Sequence, residues 1–435
     1  MTTTLSSSRS HHPLETAHAW ALGLFVFILP IPGTVALRLS LLVVLLGSTL
    51  WLQKIGYWQR RQWIGLSYIL PWVVACLLGV YWATQRGYAL GELKTEVGYG
   101  LLAFWLGLQA IQHSYQRTAL GMGIGINWML NLIIAAYVIK RHGSWEILLV
   151  ASKTGQTANM VSYWLMTLPI LLWISILDYL SLASVQKQLW IKWGFILAAT
   201  STLIIVSNQR IGLPILLMFI FIGTVWVYFL QTGKVLAKKY WVGVLGITSG
   251  VLAIAIHIQI QLRWGSWETA LTQVLHDPRL DFWRVLIQKL MEQPLHGFGF
   301  GRETMKMALL ELVRFKDSLW HPHNLFIAYW LYAGLFGLIA ILWLFVGFFV
   351  YCWRACRLAL AHHNQAAATT AFAAGGLLLA VALRNLTNDM WVRDNSLLFW
   401  LLLGCLLGYL QKQTNITQPA PESHEPLRNA ESNVR

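Results

Sequence analysis

Residues 325–350 read LFIAYWLYAGLFGLIAILWLFVGFFV, a run without one charged side chain. A bilayer core needs about 20 apolar residues of helix to cross it. In lipid, only a structure that pairs all its own backbone groups is stable. The run therefore reads as a transmembrane helix. Similar runs recur at roughly 20–37, 39–53, 63–82, 97–112, 119–139, 159–180, 191–206, 211–230, 241–258, 366–383 and 395–411. The expected fold is all-α, a polytopic membrane protein of about 12 transmembrane helices.

Composition agrees. The 435 residues are 57% hydrophobic and 11% charged, whereas a soluble domain carries about 25% charged residues. Many of the 24 Trp residues flank apolar runs, where an interfacial belt belongs. The first apolar run lacks a small-residue cleavage site and is followed by a second span, so it reads as a retained helix rather than a signal peptide. Cys76, Cys352, Cys356 and Cys405 fall in or beside apolar runs and read as packing residues.

The formal charge is +15. With an even number of spans and both tails inside, the short loops on the two sides carry nearly equal numbers of Lys and Arg, a weak bias toward that orientation. The outer face thus keeps cations that topology alone would discourage, and an anionic ligand there accounts for them. The expected organisation is a cytoplasmic tail at 1–19, helices one to nine at 20–258, a large outer loop at 259–324, helices ten to twelve at 325–411, and a disordered cytoplasmic tail at 412–435. Connections of this loop's length are uncommon unless functional. Within it, Phe282, Val285, Leu286 and Lys289 have helical spacing, so the loop reads as a folded, partly helical cap.

Several residues in and near the loop suit chemistry on an anion. Arg210 stands between two apolar runs, in Ser207-Asn208-Gln209-Arg210, where an Arg snorkels or is functional. Arg279 and Arg284 lie in RLDFWR, residues 279–284. They are either solvated charges on an amphipathic helix or a guanidinium clamp for phosphate oxygens. Residues 294–301, PLHGFGFG, lack the Lys-Ser/Thr of a P-loop and the strand of a dinucleotide fold. Gly297 and Gly299 make either a turn or a close backbone approach to a ligand. His321-Pro322-His323-Asn324 precedes the charge-free run. His323 suits a general base, and Asn324 and His321 suit orientation or substrate contact. No acid lies within three residues of the two His, and no metal set is expected.

His323-Asn324, nine residues, then Gly334-Leu335-Phe336-Gly337 resembles the signature of the O-antigen ligase (WaaL) family, within the ligase/polymerase (WaaL/Wzy) superfamily. The stretch from Arg279 through Trp283 to Pro294 and Gly297-Phe298-Gly299 resembles the segment that precedes this His, and Arg210 resembles the Arg after the seventh span. The resemblance covers roughly 195–345 in motif. The segment before Arg210 reads Asn-Gln where a Ser is common, and Arg284 is an extra cation. The resemblance implies a glycosyltransferase of lipopolysaccharide biosynthesis. It would move O-antigen polysaccharide from undecaprenyl pyrophosphate to a sugar hydroxyl of lipid A–core, at the periplasmic face of the cell inner membrane, without metal or cofactor. Arg210, Arg279 and His323 would be catalytic, and Arg284, Asn324, His321, Gly297 and Gly299 would contact substrate. The rivals are a Wzy-type polymerase, an O-oligosaccharyltransferase and, from another class, a transporter. A transporter would line a pathway with mid-span charges, whereas these cations gather in outer loops.

Overall fold

A computed structural model describes residues 12–142, 156–181, 212–232, 264–309, 321–387 and 393–417, with Trp391 and scattered residues between 194 and 261. Its described residues form helices and no strand. The helices are α1 (Pro13–Ile28), α2 (Val35–Lys54), α3 (Leu66–Trp82), α4 (Arg86–Leu93), α5 (Tyr99–Ala110), α6 (Ser114–His142), α7 (Gln156–Ser181), α8 (Gly212–Thr232), α9 (Trp267–Leu275), α10 (Pro278–Leu290), α11 (Arg302–Ala308), α12 (Leu325–Ala361), α13 (Gln365–Arg384) and α14 (Arg393–Thr417). A π-helical turn, Lys94–Gly98, joins α4 to α5. Among the described residues, four helical stretches are long and apolar enough to cross a membrane: α2, the Met160–Ser181 part of α7, α12 and α13. Shorter apolar helices accompany them in α1, α3 and α8.

The first two spans are placed differently from the sequence expectation. The first helix starts at Pro13 and stops at Ile28, not at 37. Two prolines, Pro30 and Pro32, and Gly33 at φ 78° turn the chain there, because proline withholds a backbone donor and glycine accepts the left-handed region. The last helix continues to Thr417, past the expected end at 411. The expected spans at 191–206 and 241–258 lie largely outside the described residues.

Apolar side chains from most of these helices form one core, with Trp72, Trp400, Phe104 and Phe348 fully buried at its centre. Small residues bring backbones together in lipid, where burial of apolar surface gives little drive for association. A Cβ on Gly107 would collide with the backbone of Leu401, and one on Gly404 with the backbone of Phe104, so α5 and α14 pack at glycine distance.

The described connections gather at two ends of the helices. One end is closed by Gln365 Nε2 donating to Leu230 O at 3.5 Å and Asn364 Nδ2 donating to Gln413 O at 3.2 Å. At the other, Leu325 N donates to Asn385 O at 3.0 Å and Phe300 N to Gly79 O at 3.0 Å. Helices α10 and α11 belong to this second end.

The apolar run that opened the reading is not one straight helix. It breaks at Ala333 (φ −137°, ψ 23°) and Gly334 (φ 64°, ψ −157°). The glycine-rich segment packs into the break. Phe298 N donates to Leu331 O at 2.6 Å, Gly299 N to Tyr332 O at 3.2 Å, and Leu335 N to Pro294 O at 2.8 Å. These bonds satisfy groups that a kink in lipid would otherwise orphan. A Cβ on Gly334 would fall on the Leu295 carbonyl. Gly334→Ala is therefore expected to lose the folded protein or lower its melting temperature in detergent, with backbone strain of about 1–3 kcal/mol adding to the clash. An unchanged melting temperature would show that the break is not needed.

Candidate active site

The site is built around the turn that leads into α12. Asn324 caps that helix, its Oδ1 accepting from Phe326 N at 2.9 Å and Ile327 N at 3.1 Å. Such caps contribute about 1 kcal/mol. Its Nδ2 donates to Leu386 O at 3.0 Å. Asn324 thus ties α12 to the end of α13, and its amide oxygen is committed to the cap.

His323, immediately before the cap, has φ 49°. A non-glycine residue in the left-handed region is strained, and such residues cluster at functional sites. The other one described, His363 at φ 54°, follows the C-terminus of α12, where that conformation is ordinary. The His323 ring lies 3.7 Å, centroid to centroid, from that of His321, and His323 N donates to His321 Nδ1 at 3.3 Å. His323 is partly exposed and His321 is buried.

Burial, then the charges of Arg302, His323 and Arg279, push the His321 imidazole down to about 2. His321 is therefore neutral near pH 7 and cannot serve there as a cationic acid. Its linkage to stability has a definite sign. The unfolded chain binds this proton with a pKa of about 6.5, whereas the folded chain binds it only near 2. The contribution of neutral His321 is complete above about 6.5 and falls as pH drops below that value toward 2. A melting profile from pH 8 to pH 4 should lose less stability in His321→Gln than in the natural protein; parallel profiles would contradict this.

Helix α10 brings the guanidinium. Asp277 caps it, with Oδ1 accepting from Arg279 N at 3.0 Å, and Pro278 occupies its first turn. Positions 279 and 283 share a face at helical spacing. Trp283 Nε1 donates to Pro322 O at 2.5 Å, which seats that face against the two histidines. Arg279 Nη1 donates to Thr387 O at 2.9 Å, and its charge acts on both His321 and Arg384. Arg284, on the same helix, is exposed and pairs with Asp281 at 3.4 Å. Between the two, Arg279 is the one the fold brings to the histidines.

Two further cations share the region and were not singled out from sequence. Arg384 ends α13 and is 2% exposed. Arg302 begins α11, and its charge acts on His321. Arg302 is held in place by Glu92 of α4, whose Oε1 accepts from Arg302 N at 3.0 Å and Glu303 N at 3.2 Å. Burial pushes the Glu92 carboxyl up, against the lowering effect of those two backbone bonds. The signal for Arg302 was its place after the glycine-rich segment; nothing local marked Arg384.

Gly297 (φ 67°) and Gly299 (φ 113°) are packed against the protein itself. A Cβ on Gly297 would meet the backbone of Leu331, Ala333 and Gly334, and one on Gly299 the backbone of Ala83. Their left-handed conformation serves the join between loop and broken helix. Arg210 lies outside the described residues. Among the described residues, no three His, Cys, Asp or Glu side chains converge as metal ligands would. A largely apolar cavity of about 580 Å³ lies among α7, α8, α12 and α13, lined by Trp173, Trp226, Cys352 and Phe372 among others. It flanks the part of α12 beyond the break, away from His323.

The fold and the site define an all-helical membrane protein with a cationic, histidine-bearing site at one end of its helices. Residues 194–342 match the family model Wzy_C, O-antigen ligase, so that stretch of the chain is similar to this family. The matched stretch includes α8 to α11, the two histidines and the break in α12. No curated protein matches the chain.

Proposed function

We propose that the protein is a glycosyltransferase that transfers O-antigen polysaccharide from undecaprenyl pyrophosphate to a sugar hydroxyl of lipid A–core, at the periplasmic face of the inner membrane. The observation that carries this reading is the docking of α10 on the turn before α12, through Trp283 and Pro322. It puts Arg279 beside the histidine pair.

The acceptor oxygen attacks the anomeric carbon of the donor sugar and forms the new glycosidic bond. The bond from that carbon to the pyrophosphate oxygen breaks, and undecaprenyl pyrophosphate leaves with the electron pair. The hydroxyl proton passes to the His323 imidazole, whose strained position before the helix cap holds it partly exposed. Neutral His321 accepts the backbone N–H of His323 and fixes the turn. Negative charge grows on the leaving diphosphate, and fixed guanidinium groups stabilise it most where water is excluded. Arg279 fills that role, with Arg302 and Arg384 setting the local potential and Arg210 proposed as a further cation. Arg284, exposed on α10, suits contact with the donor glycan or its phosphates.

The test is transfer in vitro between purified lipid-linked glycan and lipid A–core, with chelator present. Product of higher mass on lipid A–core, undiminished by chelator, is expected. Glycan extension on the polyprenyl carrier alone would instead identify a Wzy-type polymerase.

A further inference from the structure

At the end of the helices opposite His323, three cations meet around Gln112. Arg61, between α2 and α3, is 8% exposed. Its Nη2 donates to Ile111 O and to Gln112 Oε1, both at 2.9 Å. Its backbone is clamped by Gln109, whose Oε1 accepts from Arg61 N at 2.9 Å and whose Nε2 donates to Arg61 O at 3.2 Å. Arg117 of α6 is 9% exposed. Its Nη1 donates to Tyr409 Oη at 3.1 Å, and its guanidinium lies 5.4 Å from the centroid of that ring. Lys412 of α14 is half-buried, its Nζ donating to Gln112 O, and it lies within electrostatic range of both arginines.

None of these cations forms a salt bridge within the described residues. Arg61 Nη1 and Arg117 Nε are buried without a partner. The carboxylate that acts on Lys412 is Glu15. Its Oε1 is already shared among Trp58 Nε1 at 3.1 Å, Gln116 Nε2 at 3.2 Å and His113 Nε2 at 3.3 Å. Three formal positive charges thus face one carboxylate, that of Glu15. Buried charge without a counter-charge is strongly unfavourable, and uncharged partners such as the Gln112 and Ile111 carbonyls satisfy donors without neutralising charge.

We propose that Arg61, Arg117 and Lys412 form a binding site for the phosphate group of an anionic membrane lipid. Basic pockets between transmembrane helices bind such headgroups, and guanidinium groups suit phosphate oxygens. The level is right for a headgroup, because exposed Trp51 and Trp63 flank the same end, as interfacial anchors do. Lys412 supplies the accessible edge, and the two arginines supply the buried potential. This end is the one the sequence reading assigns to the cytoplasm, so the site stands apart from the transfer chemistry.

The test uses the full chain purified in neutral detergent, with binding followed by native mass spectrometry and thermal melting. The probes are phosphatidylglycerol, phosphatidylcholine and inorganic phosphate. Phosphatidylglycerol should bind and raise the melting temperature, and phosphatidylcholine should not. Lys412→Gln should weaken phosphatidylglycerol binding by about five- to tenfold, and Lys412→Arg should restore it. A full shift by inorganic phosphate would support the phosphate site and reassign the ligand to the free ion. Indistinguishable behaviour of the two lipids, or undiminished binding in Lys412→Gln, would overturn the proposal. If Lys412→Gln does not fold, raised salt on the natural protein decides: phosphatidylglycerol binding that ignores salt would also overturn it.

Discussion

Arg279→Ala is expected to reduce transfer by about 10²–10³-fold or more while leaving the protein folded. Among the described residues, the side chain makes one polar contact that holds it in place, with the Thr387 carbonyl, and that carbonyl can turn to water when the guanidinium is gone. The helix cap on Arg279 N comes from Asp277 and survives the substitution. What disappears is a permanent charge beside the histidine pair. Arg279→Lys should recover little, since an ammonium is a point charge without the planar fork that grips two phosphate oxygens. The check is the rate of transfer by purified variants with matched melting temperatures. Normal transfer by Arg279→Ala would remove the diphosphate role from this residue.

His323→Ala is expected to slow transfer by about 10²–10⁴-fold, the range for general-base help. Alanine also removes a bulkier side chain from the left-handed region, though its own Cβ keeps some strain, so loss of activity through unfolding is not expected. The chemical role shows in the pH profile. The natural protein should lose rate on the acid side as the imidazole takes a proton, and the residual rate of His323→Ala should lack that limb. Asn324→Ala serves as the contrast. It removes the cap and the tie to Leu386 and should lower stability by about 1 kcal/mol, with any loss of rate following the loss of fold.

Much of this was legible in the sequence, and the remainder has identifiable physical causes. The period of Phe282, Val285 and Leu286 marked α10, because an amphipathic helix shows its buried face as spacing. Phe282 and Leu286 are indeed buried. The same period put Arg279 and Trp283 on one face, which is how the structure uses them. The break in α12 was hidden, since residues 325–350 are apolar throughout and hydropathy does not register a reversed φ at Gly334. The turn at Pro30, Pro32 and Gly33 lies inside a stretch whose hydropathy alone reads as one continuous span. From the sequence, Gly297 and Gly299 make either a turn or a close approach to a ligand. Deciding between these needed the backbone of Leu331–Gly334 at the break in α12, far away in sequence. Arg384 was invisible for a similar reason: it sits at a helix end like many snorkelling cations, and only the fold of α13 brings it within range of Arg279.

The account depends on Arg279 and His323 serving one transition state from one pocket, and a double-mutant cycle on kcat/KM tests that most directly. Groups that act as a unit show losses that do not multiply. The account predicts that Arg279→Ala combined with His323→Ala loses far less than the product of the two single losses. A double variant whose loss equals that product, with both single variants folded, would contradict it.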